Sequence, residues 1–331
     1  MSKAPLAVLI PAYNPNFFKQ TLIGLKNQTF KNFDVYISDD SPNDTISRNV
    51  LTWKKRGLFS DLNISIIVGP KNAWLNHHRL DNLYSSNYEF IHFLMDDDFV
   101  YPTFYEQHLA AHKHGDFSVS VSQRWLSNED NIPIGRMPDV GFLTNNGAHF
   151  SVLDIRTLAN TLLPTCYNWL GELSNMVFRS DGAPLFERPP ATIADINYFG
   201  LIDLGTCLRV AQKKPLVFIS SFHSNFRQHE AQTTHKHGTW GTRLIRLCWA
   251  SFAITSHSKG LLNDSQLTQN LINVRDMLVK EIPYDQNLSE PLRIIDDPNT
   301  TLADKIKKLQ VHLLSFFNSN PHLKEYLNMH T

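Results

Sequence analysis

Phe90-Ile91-His92-Phe93-Leu94-Met95 runs directly into Asp96-Asp97-Asp98, and the chain leaves on Phe99. The apolar run is short and nearly unbroken, the pattern of a strand buried on both faces. Three consecutive carboxylates cannot share that burial, because an unpaired buried carboxylate is costly. They belong at the strand's carboxyl end, where open α/β sheets present their ligand sites. Adjacent carboxylates repel one another and so favour a cation. Their hard oxygens suit Mg2+ or Mn2+, ions that commonly join protein carboxylates to substrate phosphates. The same three residues would also serve as a solvated acidic loop, and this stretch by itself does not separate the two readings.

The elements ahead of this run must position it. Leu6 to Ile10 reads as an apolar strand stopped by Pro11, with Pro11 to Pro15 as the loop beyond it. Phe17 to Gln28 reads as a helix with Phe18, Leu22 and Leu25 on one face. Phe33 to Ser38 is a second strand, ending in the acidic stretch Asp39-Asp40-Ser41-Pro42-Asn43-Asp44. A helix over Thr45 to Lys55 follows. A third strand, Ile64 to Val68, ends in Gly69-Pro70-Lys71-Asn72, and a helix over Ala73 to Ser85 carries His77, His78 and Arg79. Strand and helix thus alternate through the first hundred residues. That order predicts a doubly wound α/β fold with a mostly parallel sheet flanked by helices. Gly-x-Gly-x-x-Gly and Gly-x-x-x-x-Gly-Lys are both absent, which excludes a dinucleotide fingerprint and a P-loop.

Further along, Phe104 to Lys113 predicts a helix, and Phe117 to Ser122 a strand with one solvated face. Residues 127–147 predict loop, Val152 to Leu163 a helix, and Trp169 to Arg179 a turn feeding a strand. Ile193 to about Val210 predicts another helix, and Leu216 to Ile219 a last short strand. From Thr242 the texture turns helical, over Leu244 to His257, Asp264 to Lys280 and Thr301 to Asn318, with residues 283–299 as a Pro-containing linker. The expected division is a catalytic domain over 1–241 and a C-terminal helical region over 242–331. In the last helix Leu302, Ile306, Leu309 and Leu313 share a face, beside Lys305, Lys307 and Lys308. Such a face suits packing on the catalytic domain, self-association into a homo-oligomer, or contact with a membrane surface.

Bulk properties exclude several classes. The chain has 331 residues and 31 Lys+Arg against 31 Asp+Glu, without the basic stripe of a nucleic-acid-binding protein. The three cysteines are odd in number and widely spaced, which points to a reducing compartment. No apolar stretch reaches membrane-spanning length, and the N-terminus lacks the pattern of a signal peptide. The expected location is cytoplasmic, with peripheral contact at the inner face of the membrane left open by the last helix.

Leu9-Ile10-Pro11-Ala12-Tyr13-Asn14-Pro15, Ile37-Ser38-Asp39-Asp40-Ser41 and Met95-Asp96-Asp97-Asp98 together resemble the family 2 glycosyltransferases of GT-A fold. The likeness covers about residues 5–230 and weakens after 125. It implies an enzyme that moves a sugar from a nucleotide-sugar donor, a UDP-sugar by preference, to a saccharide or lipid-linked acceptor in surface polysaccharide or glycoconjugate synthesis. On this resemblance Pro11, Ala12 and Tyr13 line the nucleotide pocket, and Asp39 accepts from the base, with Asp40 as the alternative. Asp96 meets the sugar or ribose, Asp97 counts with it among the nucleotide-sugar-binding residues, and Asp98 holds Mn2+ or Mg2+ on the diphosphate. An inverting transfer also needs a base for the acceptor hydroxyl. Asp195 fits that role as a carboxylate at the start of a helix, with Glu172 and Asp203 as rivals. The stretch from Phe226 to Thr233 resembles a loop that closes over the donor, which makes Arg227 a phosphate ligand and His229 a metal ligand or phosphate donor. Lys71, Asn72 and Arg79 fall near the nucleotide by position, whereas His235 and His237 read as surface histidines.

Two other classes share parts of this pattern. A sugar-phosphate nucleotidyltransferase would carry a Gly-rich basic loop after the first strand, where this chain has Pro11-Ala12-Tyr13-Asn14. A non-catalytic carbohydrate-binding relative of the fold would have no use for an intact Asp96-Asp97-Asp98, whose charges merely repel.

Overall fold

Apolar runs bounded by Pro, Gly and Asp build the strands, and amphipathic runs between them build the helices that cover them. The structure, a computed structural model, describes residues 4–138, 140–144, 149–186, 192–193, 196–197, 201–230, 232 and 237–319. Its elements in chain order are β1 (Leu6–Ala12), α1 (Pro15–Lys26), β2 (Phe33–Asp39), α2 (Thr45–Lys55), β3 (Asn63–Val68), α3 (Ala73–Tyr84), β4 (Phe90–Phe93), β5 (Phe99–Val100) and α4 (Phe104–His112). There follow β6 (Val119–Ser127), β7 (Pro133–Arg136), α5 (Gly141–Thr144), β8 (Phe150–Leu153), α6 (Ile155–Leu162), β9 (Met176–Arg179), β10 (Thr192–Ile193) and β11 (Ile196–Asn197). The chain closes with α7 (Ile202–Ala211), β12 (Leu216–Arg227), α8 (Trp240–Ser258), α9 (Asp264–Glu281), α10 (Ser289–Asp296) and α11 (Leu302–Asn318).

The main sheet runs in the order β3-β2-β1-β4-β9-β6-β12-β5, with β7 beside β6 and β8 beside β12. Its first four strands are mutually parallel, Leu6 facing Phe33 on one side and Phe90 on the other. Strand order reverses at β1, between β2 and β4, so the loops after these three strands open on the crevice where α/β sheets bind ligands. β1 is buried along its whole length, and Phe18, Leu22 and Leu25 of α1 pack with Leu6, Val8 and Ile10 in one core. Pro15 occupies the first turn of α1, where its missing N–H costs nothing, and Asn14 caps it.

Two compact units emerge. One gathers residues 1–153, 169–186 and 213–229, and holds the sheet. The other gathers residues 154–168, 187–212 and 230–331. In the second unit Asn263 and Gln266 form a capping box at the start of α9. Arg243 on α8 makes a two-pronged pair with Asp285, at 2.6 and 2.9 Å. The stripe on α11 is buried at Leu309 and Leu313, and Phe316 stacks on Trp240. Much of its apolar surface is therefore engaged inside the unit. Among the described residues no helix is long and apolar enough to cross a membrane.

Several local expectations change. The strand predicted to have a solvated face, β6, lies inside the sheet between β9 and β12, and Val119 to Ser122 are all buried. Its serines mimicked a polar face, but Ser120 bonds His108 and the carbonyl of Val177. Residues 127–147 include β7, paired with β6, and 283–299 include α10, whose Pro291 sits in the first turn, where proline is tolerated. The helix expected from Ile193 begins only at Ile202; Thr192–Ile193 and Ile196–Asn197 pair as an antiparallel ribbon. β12 extends to Arg227 because its register slips between Ile219 and Ser224 and then resumes beside β6.

Buried histidines line the sheet's α4 side. His112 is 2% exposed and contacts the Val177 carbonyl at 3.1 Å. Burial pushes its pKa down to about 4, against that bond and with Arg179 nearby. An unfolded chain takes up this proton near pH 6.5, so the imidazole subtracts stability as pH falls from about 6.5 to about 4. His112→Gln should flatten the pH dependence of stability in that window by about 3 kcal/mol, measured as denaturant midpoints of both proteins. The comparison isolates His112, because the other buried histidines, His92, His108 and His223, and the raised carboxylates described below are common to both proteins. Parallel curves for the two proteins would contradict it.

Candidate active site

Backbone hydrogen bonds stitch together the carboxyl ends of the first four strands. Leu94 N donates to Leu9 O, Asp40 N to Ala12 O and Gly69 N to Asp39 O, at 2.7 to 3.0 Å. The floor of the site is therefore set by sheet register rather than by loop packing.

The acidic turn stands at the centre. Asp96 accepts from Tyr13 N and Asn14 N at 2.5 and 2.6 Å, which ties the loop after β1 to the turn after β4. Burial, with the charge of Asp97 beside it, raises the Asp96 pKa to about 7 despite those two N–H bonds. Asp98 is 2% exposed, and burial together with Asp97 raises its pKa well above the usual carboxylate range. The Thr21 hydroxyl lies 3.0 and 2.9 Å from the carbonyls of Asp96 and Asp98, anchoring the turn to α1. Tyr13 itself is 65% exposed, its ring open to solvent beside the turn.

A buried chain of polar groups supports the turn from beneath. Tyr105 OH and His92 Nδ1 are 2.9 Å apart, and His92 Nε2 contacts the Ser174 carbonyl at 3.1 Å. Burial holds His92 neutral, its pKa down at about 3. Since a carbonyl only accepts, Nε2 carries the ring proton and Tyr105 donates to Nδ1. The Ser174 hydroxyl accepts from Met95 N at 3.0 Å and bonds Asp98. A tyrosine on α4 thus fixes, through two residues, the orientation of a carboxylate.

The two carboxylates after β2 differ in surroundings. Asp39 is fully buried, and its oxygens accept from both N–H and hydroxyl of Ser41 and of Ser47. Burial opposes its ionisation, but those four bonds hold its pKa below the usual value. Asp40 accepts from Lys71 N at 2.6 Å, and burial raises its pKa. A Cβ on Gly69 would lie 2.0 Å from Asp40 Oδ1, so only glycine leaves room for that carboxylate. Lys71 adopts φ 59° to present its N–H, while its Nζ reaches Ser41 O and Asp44. Asn72 caps α3 through Trp74 N and Leu75 N, and Arg79 reaches the Val68 carbonyl.

On the other flank Glu172 faces Arg124, with Nη2 to Oε1 at 3.1 Å and a second, shorter contact from Nε. Gly171 (φ 107°) precedes it; a Cβ there would lie 2.6 Å from the Arg124 guanidinium. His229 Nε2 is 2.9 Å from Asp97 Oδ2, and its ring lies against Phe17. Arg227 is fully buried and donates to the Asp97 carbonyl at 2.6 Å.

A family model described as glycosyl transferase family 2 matches residues 7–173, just over half of the chain. The chain belongs to glycosyl transferase family 2. No curated protein matches it. Among solved structures, residues 1–349 of S. aureus TarS in complex with UDP-GlcNAc are similar, with a TM-score of 0.52 over 95% of this chain and 92% of that one, at 13% identity. A further S. aureus TarS structure gives 0.51 at 13% identity, over 96% of this chain and 50% of that one. The likeness is one of fold, and the fold is GT-A.

In this glycosyltransferase Pro11, Ala12, Tyr13, Asp39, Asp40, Lys71, Asp96, Asp97, Asp98 and His229 gather around the carboxyl ends of β1, β2 and β4. Glu172 stands near enough to Asp98 for its charge to help raise that residue's pKa. Asp195, His235 and the tip of the ribbon lie outside the described residues. Asp203, the other rival base, accepts from Asn168 at 3.0 Å. His237 contacts Glu281 and stacks on Tyr284. Sequence reasoning missed Thr21, His92, Tyr105, Arg124 and Ser174. His92 read as part of an apolar strand, and no local spacing links it to Ser174, 82 positions on.

Proposed function

We propose that this glycosyltransferase inverts the anomeric centre of a nucleotide-sugar donor, a UDP-sugar in the first instance, as it passes the sugar to a saccharide or lipid-linked acceptor in surface polysaccharide or glycoconjugate synthesis. The carrying observation is the acidic turn Asp96-Asp97-Asp98, buried at Asp96 and Asp98, mutually repelling and hydrogen-bonded to the loop after β1. Carboxylates whose pKa values are raised by burial and by one another gain most from a neighbouring cation.

Donor chemistry fits a divalent ion. Among the described residues no three His, Cys, Asp or Glu side chains converge on one point. Mg2+ and Mn2+ sites on diphosphates need only one or two carboxylates, the phosphates and water completing the shell. Asp98 would hold the ion, with Asp97 and His229 beside it, and the ion when bound offsets charge on the leaving diphosphate. Pro11, Ala12 and Tyr13 offer the base a backbone edge and an exposed ring. Asp96 orients the loop that carries them.

The geometry supports Asp40, ahead of Asp39, as acceptor for the base N–H. Asp39 already receives four donors. Asp40→Asn should weaken UDP binding by roughly 1–3 kcal/mol, the value of a charge-assisted hydrogen bond. Asp39→Asn should lower the melting temperature first, since Asn cannot receive all four donors. Normal stability with lost UDP affinity in Asp39→Asn would return the base to Asp39. The role itself is tested by thermal shift with UDP, GDP, dTDP and CMP, each with Mn2+. One of them should raise the melting temperature, and no response to any would count against a nucleotide-sugar donor. TarS, of the same fold, was crystallised with UDP-GlcNAc, which makes UDP the first probe.

A further inference from the structure

We propose that Arg227 is a positioning residue that clamps the acidic turn into the shape a metal-bound diphosphate requires, from beneath and without touching the donor. The proposal rests on the nucleotide-sugar reading above. Arg227 is fully buried at the end of β12, and its guanidinium is engaged with main chain. Its Nε donates to the Asp97 carbonyl at 2.6 Å, its Nη1 donates to the Glu129 carbonyl, and its own N–H donates to Asp98 Oδ1 at 3.2 Å. The guanidinium carbon lies 4.5 Å over the Phe17 ring. One side chain thus joins four segments: the end of β12, the acidic turn, the turn after β6 and the first turns of α1.

Three features separate this from a phosphate ligand. The Nε and Nη1 bonds go to carbonyl oxygens, so they fix the path of the backbone rather than neutralise one carboxylate. The planar fork presents Nε and Nη1 in fixed directions to two diverging acceptors, a preorganisation that the flexible point charge of Lys lacks. To reach a phosphate in the crevice, the fully buried guanidinium would have to release both carbonyls and the Phe17 ring. Its charge nonetheless sits among Asp97 and Asp98, where it eases their mutual repulsion. A neighbouring tie holds the turn after β6, the clamp's other anchor: Asn225 accepts from Tyr101 OH at 2.7 Å and donates to Asn131 O at 3.1 Å. His229, two residues past the clamp, reaches Asp97 and so depends on the same anchor.

The test is calorimetric titration of UDP into the full chain, with and without Mn2+, alongside amide hydrogen exchange. Arg227→Lys should weaken UDP binding in Mn2+ by about tenfold or more, as loss of supporting residues around metal ligands typically does. UDP affinity without metal should stay unchanged, and exchange should accelerate at residues 96–99 and 128–131. Phe17→Leu, which keeps apolar volume and removes the ring beneath the cation, should shift both readouts the same way by less. It carries the test if the Lys variant does not fold. Equal loss with and without Mn2+ would make Arg227 a direct diphosphate ligand and overturn the clamp. So would unaltered Mn2+ dependence together with unaltered exchange. If the wild-type chain binds no UDP under either condition, the donor reading fails for UDP, and exchange alone decides: acceleration at both turns upholds the clamp, and retained protection overturns it.

Discussion

Asp98→Asn should remove most sugar transfer, by roughly 10²-fold or more, while leaving the fold intact or slightly more stable. The two halves of this result have one cause. Asp98 is buried beside Asp97, with Glu172 near, and its pKa is raised well above the usual range. Removing one of several like charges relieves repulsion in the unliganded protein. With donor and ion present the balance reverses, because a neutral amide is a poorer partner for a hard dication. The ion's contribution to charge on the leaving diphosphate is worth several kcal/mol in such reactions. Asn also keeps the contacts with Arg227 N and Ser174 within reach, so the turn should hold its shape. Turnover, melting temperature and the Mn2+ effect on UDP affinity, measured on one preparation, check all parts. Full turnover of Asp98→Asn, or of the wild type in excess EDTA, would contradict them.

The acceptor's base gives the second large effect. Asp195→Asn should lower transfer by about 10²–10⁴-fold, the usual consequence of removing a general base, with nucleotide binding preserved. Glu172→Gln should behave differently. Glu172 is held by Arg124, itself 5% exposed: Nη2 donates to Oε1, and the guanidinium lies close against the second carboxylate oxygen. A carboxylate so engaged is turned toward the guanidinium rather than toward an acceptor hydroxyl. Gln in its place should cost stability, by leaving the Arg124 charge without its counter-ion, and should reduce rate only modestly. Rapid-quench rates at saturating donor, with melting temperatures for both variants, separate the roles. A dead Glu172→Gln beside a near-fully active Asp195→Asn would move the base to Glu172. The helix that made Asp195 attractive begins at Ile202, so the case for it rests on the family resemblance and on this experiment.

Local patterns carried the first half of the fold. The unbroken runs Leu6 to Ile10 and Phe90 to Phe93 became the two neighbouring central strands, because burial on both faces leaves no polar position to hide. The acidic turn was legible for the opposite reason, since three adjacent charges fit no core. What local spacing could not show was pairing across distance. The Tyr105–His92–Ser174 chain, the Arg124–Glu172 pair and the Arg227 clamp each join residues far apart in sequence. Serines on β6 imitated a solvent face, because a hydroxyl bonded inside the sheet and one in water look alike in a sequence. Gly69 read only as part of the stretch that ends the third strand, whereas its closest constraint is the carboxylate of Asp40 lying against it.

The central claim is that the carboxyl ends of β1, β2 and β4 bind and cleave a nucleotide-sugar donor. Incubating the full chain with a panel of UDP-, GDP-, dTDP- and CMP-sugars in Mn2+, and following nucleotide release, tests it most directly. The account predicts slow release from one nucleotide class even without an acceptor, suppressed in Asp98→Asn. Release from none of them, or release that Asp98→Asn leaves unchanged, would contradict it.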